Sequence, residues 1–149
     1  MNEKIVVFRL AAEKYGVDVK YVQSIIEMQT IVTVPHAPDF VSGVINLRGA
    51  VIPVIDLGIR FELTREAPLK QVIVIVEFGQ LQIGLIVDKV MEVLTADISL
   101  LEPPSPLLVT VNTTYLRGIL RDDEELIILL DLARVFSLEE QTALQIVAE

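Results

Sequence analysis

A duplicated stretch constrains this chain more than any other feature. The run Phe40-Val41-Ser42-Gly43-Val44-Ile45-Asn46-Leu47-Arg48-Gly49-Ala50-Val51-Ile52-Pro53-Val54-Ile55-Asp56-Leu57 returns in a looser copy 75 positions later. Phe40 answers to Tyr115, Val41 to Leu116, Gly43 to Gly118, Asp56 to Asp131, Leu57 to Leu132 and Phe61 to Phe136. The glycine-to-aspartate separation is the same in both copies. A weaker echo, offset by 68, pairs Gly16-Val17 with Gly84-Leu85, and Val22, Ile25 and Ile26 with Val90, Val93 and Leu94. Two copies are too few for a solenoid, which needs at least about three. They suit two similar halves, approximately 15–70 and 80–136, packed side by side within one domain of 1–149. The working surface is then expected between them.

The residue pattern predicts strands. Apolar residues make up 52% of the chain and aromatics only 5%, so the core must be built from Val, Ile and Leu, which favour pleated structure. Lys4–Leu10 alternates, with Val6, Phe8 and Leu10 on one face and Val7 and Arg9 on the other. Tyr15–Asp18 reads as its return strand. Val19–Ile26 has apolar residues at 19, 22, 25 and 26, which predicts a short amphipathic helix. Ile31–Val34 is extended, and Pro35–Asp39 starts a single helical turn. Gly43–Leu47 and Ala50–Ile55 form a hairpin around Arg48-Gly49, with Pro53 marking an exposed edge or a bulge.

Glu62–Gln71 is a surface loop or the link between the halves. Val72–Val87 is a hairpin turning at Gly79, and Val90–Leu94 continues extended or as a helical turn. Leu101–Leu108, with three prolines, crosses irregularly to a second hairpin at Gly118–Leu120 and Leu126–Asp131. Ser137-Leu138-Glu139-Glu140 is a capping box that opens a C-terminal helix, 138–148. Many short, evenly spaced strands indicate an all-β barrel or sandwich.

Several classes of function find no support in these residues. There is no cysteine, hence no disulfide frame or thiolate metal site, and the simplest compartment is the cytosol. No apolar run reaches the ~18 residues that span a bilayer, and Met1-Asn2-Glu3-Lys4 does not open a signal peptide. The formal charge of −9 lies entirely in residues 76–149, the wrong sign for neutralising phosphates. That excess keeps an apolar-rich chain soluble or meets a basic partner. The one histidine, His36, sits between prolines in a loop and reads as solvated. Asp56 and Asp131 occupy equivalent positions and read as structural helix caps, and Gly118 as a structural strand end. No metal, cofactor or catalytic residue is therefore expected, and the chain reads as a binding module. Arg48 stands out as a long cation at a hairpin tip, where the second copy has Asp123.

The run Phe40-Val41-x-Gly43-Val44-x-Asn46-Leu47-Arg48-Gly49-x-x-x-Pro53-Val54-x-Asp56-Leu57 resembles the signature of the CheW family of bacterial chemotaxis coupling proteins. Glu13-Lys14-Tyr15-Gly16-Val17-Asp18, Gly84-Leu85-Ile86-Val87-Asp88-Lys89-Val90 and Thr114-Tyr115-Leu116-Arg117-Gly118 match further family segments in order, from about Ile5 to Phe136. The resemblance implies an all-β fold of two SH3-like five-stranded β-barrel subdomains sharing a groove, with short helices and a C-terminal helix. It implies an adaptor that couples the cytoplasmic tip of methyl-accepting chemoreceptors to the CheW-like regulatory domain of the histidine kinase CheA. Association into rings within cytoplasmic, membrane-associated arrays follows from it, without a cofactor.

By motif, the resemblance assigns receptor binding to Val22, Ile31, Gly43, Arg48, Val51, Val90 and Val93. Ser24 stands where relatives often carry a glutamate. The segment around Glu102 and Leu107 is assigned to the kinase. The groove aliphatics fit core packing equally well, and Gly43 fits a backbone requirement. Two other readings are a CheW-like regulatory module of a larger kinase or receiver-fusion system and, from a different class, a small-ligand-binding β-barrel.

Overall fold

A computed structural model describes residues 2–63, 70–107, 109 and 111–148, and these form two five-stranded sheets. The first half supplies β1 (Asn2–Leu10), β2 (Glu13–Asp18), β3 (Val22–Glu27), β4 (Gly43–Leu47), β5 (Ala50–Asp56) and the short helix α1 (Leu57–Arg60). The second supplies β6 (Val72–Phe78), β7 (Leu81–Val87), β8 (Lys89–Asp97), β9 (Leu116–Asp122), β10 (Glu125–Leu130), α2 (Leu132–Val135) and α3 (Leu138–Val147). One sheet runs β8-β1-β2-β10-β9 and the other β3-β6-β7-β5-β4.

The sheets do not follow the sequence halves. Hairpin β1–β2 lies among β8, β9 and β10 of the later copy, and hairpin β6–β7 lies among β3, β4 and β5 of the earlier one. The equivalent hairpins are thus exchanged between the copies. Registers confirm the equivalence: Val54 pairs in parallel with Gly84, as Leu129 does with Gly16. Val22 pairs with Val76 as Val90 does with Phe8. Sequence likeness marks where the chain repeats, but only backbone pairing decides which strands share a sheet.

This exchange explains the aliphatic composition. The largest core cluster takes Val6, Phe8 and Tyr15 from one sheet and Val74, Val76 and Ile83 from the other. The opposite faces close two smaller clusters, one around Ile5, Val7 and Ile127, the other around Ile52, Ile73 and Ile75. A strand buried on both sides needs consecutive apolar residues, hence Ile5-Val6-Val7-Phe8 and Ile73-Val74-Ile75-Val76. Each such side chain contributes about 1.5–3 kcal/mol by leaving water.

Three local expectations are corrected. Val19–Ile26 is not a helix: a single 3-10 turn (Val19–Tyr21) is followed by strand β3. The Asp18 side chain accepts from Lys20 N and caps only that one turn, while the β-branched residues that follow pair with β6. Ile25, expected inside, therefore points outward and is 44% exposed. Pro35–Asp39 forms no helical turn. Ala37 N donates to Val34 O and Val41 N to Pro38 O, making separate turns, and His36 has a positive φ of 63°. Pro53 marks neither an edge strand nor a bulge, because β5 lies between β7 and β4 and its register with β4 is unbroken. Its partner Val44 directs both backbone groups to Val32, so no donor is needed towards β4, and the ladder with β7 starts only at Val54. Of the expected loop Glu62–Gln71, residues 64–69 lie outside the described residues, as does Leu108 of the crossing segment.

Ile31–Val34 contributes only an isolated bridge from Val32 to Val44, and three other elements form as the sequence indicates. Val90–Leu94 is extended within β8. Gly79, at φ 60°, turns β6 into β7. The Ser137–Glu140 capping box opens α3.

Two predictions follow from packing. A Cβ at Gly118 would sit 2.5 Å from Glu102 O, and one at Gly43 would sit 2.5 Å from Val32 O. Gly118→Ala and Gly43→Ala should each lose about 1–3 kcal/mol in urea titration, as overpacked sites do; unchanged midpoints would contradict this close approach. The Tyr15 hydroxyl is buried and finds no hydrogen-bond partner among the described residues. Tyr15→Phe should therefore be neutral or add about 1 kcal/mol to unfolding stability, and a clear loss would reveal a bond to that oxygen.

Candidate functional site

The two copies present matched hairpin tips of opposite charge. Arg48 follows β4 with φ 53° and Gly49 follows with φ 86°, two left-handed residues in succession as a type I′ turn requires. Asn46 Oδ1 accepts from Gly49 N at 3.1 Å and braces the turn. In the second copy Asp123 has φ 55°. Aspartate tolerates the left-handed region, whereas an arginine there carries about 1–2 kcal/mol of steric cost. The Arg48 side chain is exposed, and among the described residues no carboxylate pairs with it. Beside it Val51, opposite Asn46 in the ladder, is 42% exposed.

The residues assigned to receptor binding do not form one uniform surface. Ile31 packs against the cluster of the second sheet, directly over Gly43. Gly43 itself is buried, with the space of a side chain filled by Ile31 and by the backbone of Val32. A side chain there would collide with both, so the position requires close backbone approach. Val22 and Ser24 lie half-buried on β3, with Val22 against the shared core. Val90 and Val93 lie on β8, in the other sheet. Val90 leans on the shared core, whereas Val93 is 58% exposed. Both β3 and β8 are edge strands.

Glu102 and Leu107 differ in kind. Glu102 bridges to Ile119 through its backbone, as Val32 does to Val44 in the first copy, and its carboxylate pairs with Arg121. That pair is exposed and raises the Arg121 pKa. Leu107 is 93% exposed, on a loop whose Pro106 borders a groove of about 500 Å³ beside Arg60 and Tyr115.

Asp56 and Asp131 are both caps: Asp56 Oδ1 accepts from Ile59 N at 3.2 Å and Asp131 Oδ1 from Ala133 N at 3.1 Å. A polar cluster elsewhere ties the N-terminal strand to β9. Arg117 donates to Glu3 at 3.0 Å, which holds the Glu3 carboxyl below its usual range. Among the described residues no group of three or more His, Asp or Glu side chains could hold a metal ion.

Sequence reasoning missed Arg60. Its guanidinium donates to Glu140 at 2.6 and 2.7 Å and to Val135 O at 2.7 Å. It also lies 5.3–5.6 Å from the ring centres of Phe40, Tyr115 and Phe136. Around it the copies cross: Phe61 stacks on Tyr115 at 5.4 Å, and their counterparts Phe136 and Phe40 meet at 6.1 Å. The repeat gave no signal for it, since all three positions between the matched Leu57/Leu132 and Phe61/Phe136 differ, Arg60 against Val135 among them.

Comparison with known proteins agrees with this arrangement. The profile of the CheW-like domain matches residues 4–140. The chain is 34% identical to the chemotaxis protein CheW of Klebsiella aerogenes, over 100% of this chain and 90% of that protein. It is 32% identical to CheW of Thermotoga maritima, over 89% of this chain and 86% of that one. The crystal structure of the scaffolding protein TtCheW from Thermoanaerobacter tengcongensis superposes with a TM-score of 0.84 at 41% identity, covering 94% of this chain and 91% of that one. With its duplicated strands, crossed aromatic pairs and matched hairpin tips, the chain belongs to the CheW family of chemotaxis proteins.

Proposed function

We propose that this chain is a coupling adaptor that joins the cytoplasmic tip of methyl-accepting chemoreceptors to the regulatory domain of the histidine kinase CheA. It acts by binding alone, without catalysis or cofactor, in the cytoplasm at membrane-associated receptor arrays. Family membership and the scaffolding role named for the T. tengcongensis protein support this reading.

The observation that carries it is Arg48. A strained backbone position is given to a long cation with no packing duty and no internal partner among the described residues. Residues held in unfavourable backbone regions concentrate where function demands them. The planar guanidinium suits carboxylates or backbone carbonyls at the end of a helical hairpin. Val51 supplies apolar area beside it, and Val22, Ser24, Val90 and Val93 extend the receptor surface along the two edge strands. Gly43 contributes by seating Ile31. On the kinase side, Leu107 is the anchor, since an exposed leucine on a turn loses water only when a partner covers it. Glu102 shapes the same segment through its bridge and its pair with Arg121.

Two substitutions separate binding from stability. Arg48→Asn relieves the left-handed strain and should raise the thermal midpoint by roughly 2–4 °C, equivalent to about 1 kcal/mol. The same change should weaken co-sedimentation with receptor cytoplasmic fragments at least about tenfold, the scale set by a lost charged contact of about 1.4 kcal/mol or more. Undiminished receptor capture would remove Arg48 from the surface. Leu107→Asp should leave the urea midpoint unchanged and weaken binding of the kinase regulatory domain in titration calorimetry. Wild-type affinity would move the kinase contact elsewhere.

A further inference from the structure

The C-terminal helix is joined to the rest of the fold by few contacts, and one carboxylate makes two of them, both to Arg60 of α1. Of the ten residues in α3, only Leu144 is fully buried, while Leu138 and Ile146 are 81% and 63% exposed. Val147 adds a half-buried contact with the shared core, and Gln141 Nε2 donates to Phe136 O at 3.0 Å. Glu140 does two jobs with one side chain. Its Oε1 accepts from Ser137 N at 2.9 Å, completing the capping box that starts the helix. The same oxygen accepts from Arg60 Nη2 at 2.6 Å, and Oε2 from Arg60 Nη1 at 2.7 Å. Arg60 and Glu140 side chains are only 15% and 24% exposed.

An isolated helix of this length does not persist in water, since helices below about 12–15 residues are marginal on their own. Undocked, α3 loses both its apolar seat and the ion pair that orients its cap. Helix formation and docking are therefore one event.

We propose that α3 is a latch: it undocks and unfolds as a unit, governed by the Glu140–Arg60 pair, while both sheets stay folded. Opening frees the Arg60 guanidinium from Glu140 and leaves it on Val135 O, beside the rings of Phe40 and Phe136 at the junction of the two copies. Such sub-global opening units draw on segments with few buried contacts. The pair contributes to docking through two charge-assisted bonds in a fork geometry that only arginine supplies.

Native-state hydrogen exchange on the full-length protein, read by mass spectrometry, tests this. In the wild type, amides of 140–147 should exchange at least tenfold faster than those of β6 and β7. Glu140→Gln should accelerate the helix by a further tenfold or more and change the strands less than twofold. Arg60→Lys, which keeps the charge but loses the fork, should fall between. Helix amides that exchange at the strand rate in wild type would overturn the latch. So would a Glu140→Gln variant that speeds helix and strands equally. If neither variant folds, the wild-type ratio decides.

Discussion

Burial of both faces of the inner strands is the constraint on which this structure depends. Each sheet turns one side to the shared aliphatic core and the other to its own smaller cluster. No polar side chain fits where a strand is buried on both faces, so β1, β6 and β7 carry the apolar runs Ile5–Phe8, Ile73–Val76 and Leu85–Val87. The shared core makes the two sheets mutually dependent, because Val6 and Phe8 from one pack in the same cluster as Val74 and Val76 from the other. Exchange of equivalent hairpins between the copies follows the same logic. A unit made by one contiguous half would lack the hairpin that joins its remaining strands, two of which pair with it directly.

On this scaffold the copies are free to diverge where they reach solvent. Positions that hold the fold remain matched: Gly43 and Gly118 accept close backbone approach, while Asp56 and Asp131 cap α1 and α2. The hairpin tips, which face outward, differ, with Arg48 against Asp123, and so does the largely buried junction, with Arg60 against Val135. Duplication thus yields two similar frames with different chemistry. Arg48 holds a left-handed backbone that an aspartate takes in the second copy, and Glu140 bonds both its own helix cap and Arg60.

Much of this was legible in the sequence, for identifiable reasons. Gly49 and Gly79 announced their turns because tight hairpins need left-handed residues, and Ser137 with Glu140 announced α3 through reciprocal capping. The signature around Gly43 and Arg48 carried the family. Val19–Ile26 misled because its apolar spacing fits a helix, while pairing with β6, a non-local fact, decided the outcome. The exchange of hairpins was hidden for the same reason: the repeat offsets of 68 and 75 show what is alike, not what is adjacent. Arg60 was invisible because its partners lie 75 and 80 residues away.

Kinase turnover in a reconstituted three-part mixture tests the central claim most directly. With a receptor cytoplasmic fragment and CheA on a templating membrane surface, adding this chain should raise phosphorylation in the sedimenting fraction well above that of receptor and kinase alone. Receptor and kinase that assemble and signal to the same extent without it would show that the chain joins nothing.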